Sequence, residues 1–136
     1  MTPAQIVLIR SSAAPIVADP EGVATLFYDR LFAAAPGLRP LFPADMAAQR
    51  GKLMAMLITA VGLLDQPEKL VPALQQLGRR HVAYGVKPEH YPIVGAALLD
   101  TLAAGLGAGF TPEVRAAWTA FYGVAADTMI AAAAVA

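Results

Sequence analysis

The sequence predicts an all-α protein, and three observations support this fold class. No segment alternates apolar and polar residues with the β-branched enrichment that is typical of strands. Long stretches are rich in Ala, Leu and Met, which favour helix. Prolines follow side chains that cap helices, and a proline at the first helical position loses no hydrogen bond that the helix needs. This pattern occurs at Thr2-Pro3, Asp19-Pro20 and Thr111-Pro112.

The proline positions and the apolar periodicity divide the chain into seven helices. In the segment 68–84, a stripe with helical spacing joins Leu70, Leu74, Leu77 and His81. Connections are short and no repeat or linker interrupts the chain, so we expect a single domain over residues 1–136. The predicted helices are 3–17 (bent or ended near Pro15), 20–35, 37–42, 46–64, 68–84, 89–106 and 112–133.

The composition excludes several classes of protein. Apolar residues make up 57% of the 136 residues and the formal net charge is zero, so the chain does not resemble a disordered or nucleic-acid-binding protein. It contains no cysteine, which excludes disulfides and thiolate metal sites. The longest apolar run, 53–64, is shorter than the roughly 18 residues of a membrane span. The first residues lack the basic start of a signal peptide. We therefore expect a cytoplasmic protein that does not bind membranes.

His81 is the residue that best indicates chemistry. It continues the leucine stripe of 68–84, so the predicted helix directs it towards the core. One interpretation is a buried histidine that only packs. The other is an axial ligand of haem iron, because neutral imidazole is a common ligand of that iron.

Four residues earlier in the chain favour the second interpretation. Gln49 and Leu53 lie one helical turn apart on the same predicted face. Tyr28 falls among apolar residues, where a buried hydroxyl needs a partner, and Phe42 follows it. The Tyr28 hydroxyl and the Gln49 amide can both donate hydrogen bonds. Two donors facing a histidine across a flat pocket would suit a polar ligand on haem iron.

The chain resembles the bacterial single-domain globins of the flavohaemoglobin lineage along essentially its whole length. The resemblance implies a globin fold, a three-over-three helical sandwich around a haem pocket. The segments that carry it are 26–32 (LFYDRLF), 38–42 (LRPLF), 77–86 (LGRRHVAYGV), 89–95 (EHYPIVG) and 117–123 (AWTAFYG).

The resemblance implies a role for each matching residue around haem b. His81 would be the iron ligand, and Leu77 would pack beneath the haem. Phe42 would contact the haem edge, Tyr28 and Gln49 would hydrogen-bond the bound ligand, and Leu53 would form the apolar wall beside it. The remaining implied contacts are Tyr91 and Tyr122 in a proximal hydrogen-bond network, and Lys52, Arg79 or Arg80 at the haem propionates.

One position departs from the lineage. Its members carry a glutamate on the last helix, which joins the tyrosine matched by Tyr122 to polarise the proximal histidine. The corresponding position here is Ala133, and no acidic residue follows Asp127. Because such outer hydrogen bonds raise the basicity of a metal ligand, their loss should weaken peroxidase-like O–O cleavage.

These features predict a haem protein that reversibly binds O2 and other diatomic ligands. The resemblance further implies nitric oxide dioxygenation, which would need an external flavin reductase. Two alternatives remain open at this point: a haem-based sensor or a haem protein that handles sulfide or nitrite, and a globin-like structural module without haem. The sequence is compatible with a monomer or a homodimer.

Overall fold

The computed structural model describes residues 1–134, and within them every regular element is helical. Three short 3-10 segments, Pro36–Leu41, Pro88–His90 and Gly107–Gly109, lie between the α-helices. The predicted all-α class is therefore confirmed. The α-helices are α1 (Pro3–Ser12), α2 (Ala14–Ala18), α3 (Pro20–Ala34), α4 (Ala47–Gly62), α5 (Pro67–Ala83), α6 (Tyr91–Leu106) and α7 (Pro112–Ala134).

Side-chain caps start the helices where the sequence predicts them. The Thr2 hydroxyl accepts a hydrogen bond from the Gln5 backbone N–H at 3.1 Å, and the Asp19 carboxylate accepts one from Gly22 at 3.1 Å. Thr111 accepts one from Val114 at 3.2 Å. Each bond satisfies a backbone donor that the first helical turn leaves unpaired.

Several predicted boundaries need correction. The first helix is interrupted near Pro15 as predicted, but the break lies at Ala13: α1 ends at Ser12, and α2 begins at Ala14 with Pro15 as its second residue. The segment predicted as a helix over 37–42 is a 3-10 helix, and the segment predicted from 89 begins with a 3-10 turn before α6. Pro72 lies inside α5, where its missing N–H removes one helical hydrogen bond near the start of that helix.

The core is built where α7 packs against α5 and α1, and where α3 packs against α6 and α4. Trp118 of α7 is fully buried, and its indole N–H donates to the buried Ser12 hydroxyl at 2.8 Å. This bond satisfies the one polar atom of the indole in an otherwise apolar core.

The segment 88–109 is the part of residues 1–134 that is long and apolar enough to cross a membrane by composition. Most of it is α6, which packs against α3 and α7 and buries residues including Tyr91, Leu98 and Leu102. Packing within the helical bundle accounts for this apolar composition.

The positions of α4 and α5 determine where several of the predicted site residues lie. These helices are consecutive in the chain and only residues 63–66 connect them, yet they do not pack closely against each other. Each instead packs on other helices, α4 on α3 and α5 on α7. Gln49 and Leu53 lie on α4, and Leu77 and His81 lie on α5.

Candidate haem site

A hydrogen bond joins the two predicted distal donors. Tyr28 of α3 is 5% exposed, and its hydroxyl oxygen accepts a hydrogen bond from Gln49 Nε2 at 3.2 Å. Burial raises the pKa of Tyr28 above its ordinary value, against a smaller opposing effect of the Gln49 hydrogen bond. The phenol therefore keeps its proton at neutral pH. Because the phenol oxygen already accepts from Gln49, that proton is available for another acceptor.

Aromatic rings hold Tyr28 in place. The Tyr28 ring lies 5.5 Å from the Phe42 ring in an edge-on arrangement and 5.8 Å from the Phe32 ring in a stacked one. Phe32 and Phe42 are themselves 5.3 Å apart, edge-on. These distances lie in the range of favourable aromatic pairs. Phe42 is thus part of the same rigid group as the distal tyrosine.

Arg39 fixes the segment that carries Phe42, and the sequence did not single out this role. Its guanidinium donates to the backbone carbonyls of Phe42 at 3.3 Å, Pro43 at 2.9 Å and Ala44 at 3.1 Å. Its Cζ also lies 5.3 Å from the centre of the Phe32 ring, in cation–π contact. The only signal in the sequence is an arginine before Pro40.

Two further predicted residues lie on α4. Leu53 is half-buried and packs against the core one turn after Gln49, as expected for an apolar wall. Lys52 is exposed and makes no hydrogen bond or ion pair within residues 1–134. Its suggested contact with a haem propionate stays a prediction.

His81 lies in the last turn of α5 with one ring nitrogen engaged. Its Nδ1 is 2.8 Å from the Leu77 carbonyl oxygen, so Nδ1 carries the proton and donates it. Burial lowers the pKa of His81 below its ordinary value, the Leu77 carbonyl opposes this shift, and the Arg80 charge adds to it. The imidazole is therefore neutral, with the lone pair on Nε2. Within residues 1–134, Nε2 has no hydrogen-bond partner, which is the state that an iron ligand needs.

The predicted proximal tyrosines, Tyr91 and Tyr122, lie close together. Within residues 1–134, however, neither hydroxyl forms a hydrogen bond to His81. The Tyr91 ring lies 6.4 Å from the His81 ring and nearly parallel to it, at 27°. The Tyr122 hydroxyl donates to the Tyr91 backbone carbonyl at 2.6 Å, so it joins α7 to α6. Burial raises the pKa of Tyr122 and, less strongly, the Tyr91 group acts in the same direction. Both hydroxyls stay protonated at neutral pH.

Ala133 lies half-buried near the end of α7. Its methyl group cannot hydrogen-bond. Tyr122 uses the Tyr91 carbonyl instead.

The donor set fits haem better than a bare metal ion. Within residues 1–134, no group of three or more His, Cys, Asp or Glu side chains could hold a metal ion. A single imidazole is sufficient for haem, because the macrocycle itself supplies four nitrogen ligands to the iron. Phe42, Leu53 and Leu77 are half-buried apolar residues that pack against the core, and Leu53 and Leu77 lie on α4 and α5.

Comparisons with known proteins agree with this architecture. The globin family model matches residues 25–129. A bacterial globin from Campylobacter jejuni has a solved structure that superposes with a TM-score of 0.85 at 26% identity, covering 98% of this chain and 97% of that one.

The similar curated sequences are longer proteins. The flavohemoprotein of Bacillus subtilis is 37% identical over 128 residues, which cover 92% of this chain and 32% of that protein. The flavohemoprotein of Deinococcus radiodurans is 37% identical over 133 residues, covering 96% of this chain and 33% of that protein. The chain thus spans about a third of the length of these relatives.

Proposed function

The chain belongs to the globin family, and we propose that it binds haem b and reversibly binds O2. The observation that carries this proposal is that the predicted donor and the predicted iron ligand each have the hydrogen bond that their proposed role requires. Tyr28 on α3 is a buried phenol whose proton is free to donate, and its oxygen accepts a hydrogen bond from Gln49 on α4. A neutral imidazole with a free Nε2 is supported by the Leu77 carbonyl on α5. A core histidine that only packs would not need a free Nε2, and a tyrosine that only fills the core would not need a free proton.

The residues that would hold haem are His81 as the axial ligand, with Leu77, Phe42 and Leu53 as apolar contacts. When bound, haem supplies an iron centre that binds diatomic molecules and exchanges single electrons. The Leu77 carbonyl fixes the orientation and tautomer of the His81 ring, as carbonyl partners commonly do for histidine ligands.

Tyr28 and Gln49 would discriminate among ligands. A protonated phenol would stabilise a ligand that carries partial negative charge, such as O2, more than it would stabilise the less polar CO. Gln49 contributes by donating to Tyr28, which makes the phenol a stronger donor. Hydrogen bonds of this charge-assisted kind are worth about 1.5–3 kcal/mol.

Ala133 favours storage or delivery of O2 over cleavage of the O–O bond. With no carboxylate at this position, His81 receives no added electron density through a hydrogen-bond chain from α7. The Leu77 carbonyl is the only partner of its Nδ1 within residues 1–134.

Nitric oxide dioxygenation is the second activity that we assign to the site. In this reaction NO, O2 and one electron give nitrate, so continued turnover requires an electron donor. The relatives named flavohemoproteins are about three times as long as the region that matches this chain. We assign the electron supply to an external flavin reductase.

Titration of the purified chain with haemin, followed by visible absorption, tests the proposal. We expect one haem per chain and a spectrum of histidine-ligated iron. His81→Ala should abolish stable haem binding or give the spectrum of iron with a water ligand in place of the histidine. Affinities for O2, CO, NO, sulfide and nitrite then separate an O2-binding globin from a sensor or a sulfide- or nitrite-handling protein. No haem uptake by the unaltered chain would contradict the proposal and leave the haem-free alternative.

The cytoplasmic location and the choice between monomer and homodimer stay predictions. Cell fractionation would test the first, and light scattering of the haem-loaded chain would test the second.

A further inference from the structure

Gly78 brings the backbones of α5 and α7 into direct contact. It is buried within α5, three residues before His81. A Cβ atom built on Gly78 would overlap the Met129 carbonyl oxygen of α7 and would lie 2.7 Å from the Met129 Cα. Real Cβ atoms essentially never come closer than 3.0 Å to such neighbours. Any residue other than glycine therefore requires one of the two helices to move.

The neighbouring helix cannot yield by a simple side-chain rotation, because the obstructing atoms belong to its backbone. Met129 is buried within the 23-residue α7, whose turns before and after it also pack in the core. Gly22 differs, since a Cβ there would meet only the Asp19 side chain. A larger residue at position 78 is therefore expected to displace α5 away from α7.

Such a displacement of α5 would also move the His81 ring, because the ring is held to the backbone of the same helix. The His81 ring is tied to the α5 backbone by the 2.8 Å bond from Nδ1 to the Leu77 carbonyl, and Leu77 is the residue immediately before Gly78. The ring therefore moves with the helix. Leu77, which would pack beneath the haem, moves with it too.

We infer that Gly78 is a positioning residue that sets the distance and tilt of the His81 ring relative to haem iron by letting α5 lie directly against α7. This inference rests on the proposed haem-binding function. The absence of a Cβ atom at Gly78 would therefore control the iron–histidine bond as well as the packing of the helical bundle.

Gly78→Ala tests this role, with Gly123→Ala as the matched control. Both glycines are in helix interiors, so both substitutions gain the same helical propensity. A Cβ at Gly123, however, would meet no atom within 4 Å. A purely local effect of adding a methyl group to a helix would affect the two variants equally.

The direct readout is the iron–histidine stretching band of the ferrous haem-loaded protein in resonance Raman spectra. We expect Gly78→Ala to shift this band and to accelerate haem release roughly tenfold, in the range by which changes around metal ligands alter metal affinity. Gly123→Ala should retain the band and the release rate of the unaltered chain. An unchanged band in Gly78→Ala would overturn the inference, even if that variant were less stable.

A second measurement leaves Gly78 in place and covers the case in which Gly78→Ala does not fold. In His81→Gly supplied with free imidazole, the iron ligand has no covalent link to α5. If the contact between α5 and α7 constrains the histidine, the iron–imidazole band should differ from the iron–histidine band of the unaltered chain. Coincident bands would overturn the inference. Failure of the unaltered chain to bind haem would instead refute the proposed function, so the two failures are distinguishable.

Discussion

Gln49 Nε2 donates a hydrogen bond to Tyr28 Oη at 3.2 Å, across the contact between α4 and α3. The bond connects two residues that are 21 positions apart and directs the phenol proton away from Gln49. In this arrangement Tyr28 is the donor to a bound ligand, and Gln49 makes Tyr28 a stronger donor. This order makes the two side chains unequal in their effects.

The first prediction concerns O2 release. Tyr28→Phe should accelerate O2 dissociation roughly ten- to a hundredfold, because it removes a hydrogen bond worth about 1.5–3 kcal/mol. Gln49→Leu should have a smaller effect. The free-energy effect of the double variant should be smaller than the sum of the two single effects, because Gln49 acts partly through Tyr28. Stopped-flow displacement of O2 by CO measures these rates, and equal effects that add fully would contradict the chain of donors.

The second prediction concerns pH. Burial raises the pKa of Tyr28 above 10.0 in the folded chain, whereas the unfolded chain keeps the ordinary value. Tyr28 therefore contributes stability that is fully present below pH 10 and is lost as the pH rises through the folded pKa, because the unfolded state releases its proton first. Urea unfolding of the apoprotein between pH 8 and pH 11 should show a steeper loss of stability than Tyr28→Phe shows. Parallel curves would mean that Tyr28 is not protected from ionisation.

The third prediction concerns Arg39. Arg39→Met should lower the free energy of unfolding by about 1–3 kcal/mol, because it removes the hydrogen bonds to the carbonyls of Phe42, Pro43 and Ala44. It should also accelerate haem release, since Phe42 loses its anchor. Arg30→Met is the control, because the exposed Arg30 side chain makes no hydrogen bond or ion pair within residues 1–134. Equal stability and equal haem release in both variants would show that Arg39 does not hold the segment.

The fourth prediction concerns the core. Ser12→Ala should destabilise the chain by about 1–3 kcal/mol, because the buried Trp118 N–H loses the only acceptor that it has within residues 1–134. Ser11→Ala is the control, since the exposed Ser11 hydroxyl donates to the Val7 carbonyl of its own helix and has no other partner in the described part of the chain. Denaturant unfolding followed by Trp118 fluorescence measures both. A Ser12→Ala variant as stable as Ser11→Ala would mean that the indole finds another partner.

The sequence predicts those parts of the fold that local chemistry determines. Thr2, Asp19 and Thr111 cap helices because a side-chain oxygen satisfies nearby N–H groups, and this depends only on neighbours in the chain. The apolar stripe that ends in His81 likewise follows from helical periodicity. The first helix ends at Ser12, close before Pro15, which has no N–H to continue it. The bond from the Trp118 indole to the Ser12 hydroxyl, by contrast, joins residues 106 positions apart and could not be predicted locally.

The candidate site divides in the same way. Tyr28, Gln49 and His81 are residue types with distinctive chemistry, so they could be proposed from the sequence. The roles of Gly78 and Arg39 depend on a backbone of α7 that is 51 residues away and on three consecutive carbonyl groups. The partner of Tyr122 is also a backbone carbonyl, that of Tyr91, which no side-chain motif reveals.

Reversible O2 binding by the reduced, haem-loaded chain tests the central claim most directly. Visible spectra should change to an oxygenated form when O2 is added, return when it is removed, and do so without rapid oxidation. In Tyr28→Phe, the same form should lose O2 faster. A chain that takes up haem but shows no oxygenated spectrum, or that oxidises at once with intact Tyr28 and Gln49, would contradict the claim.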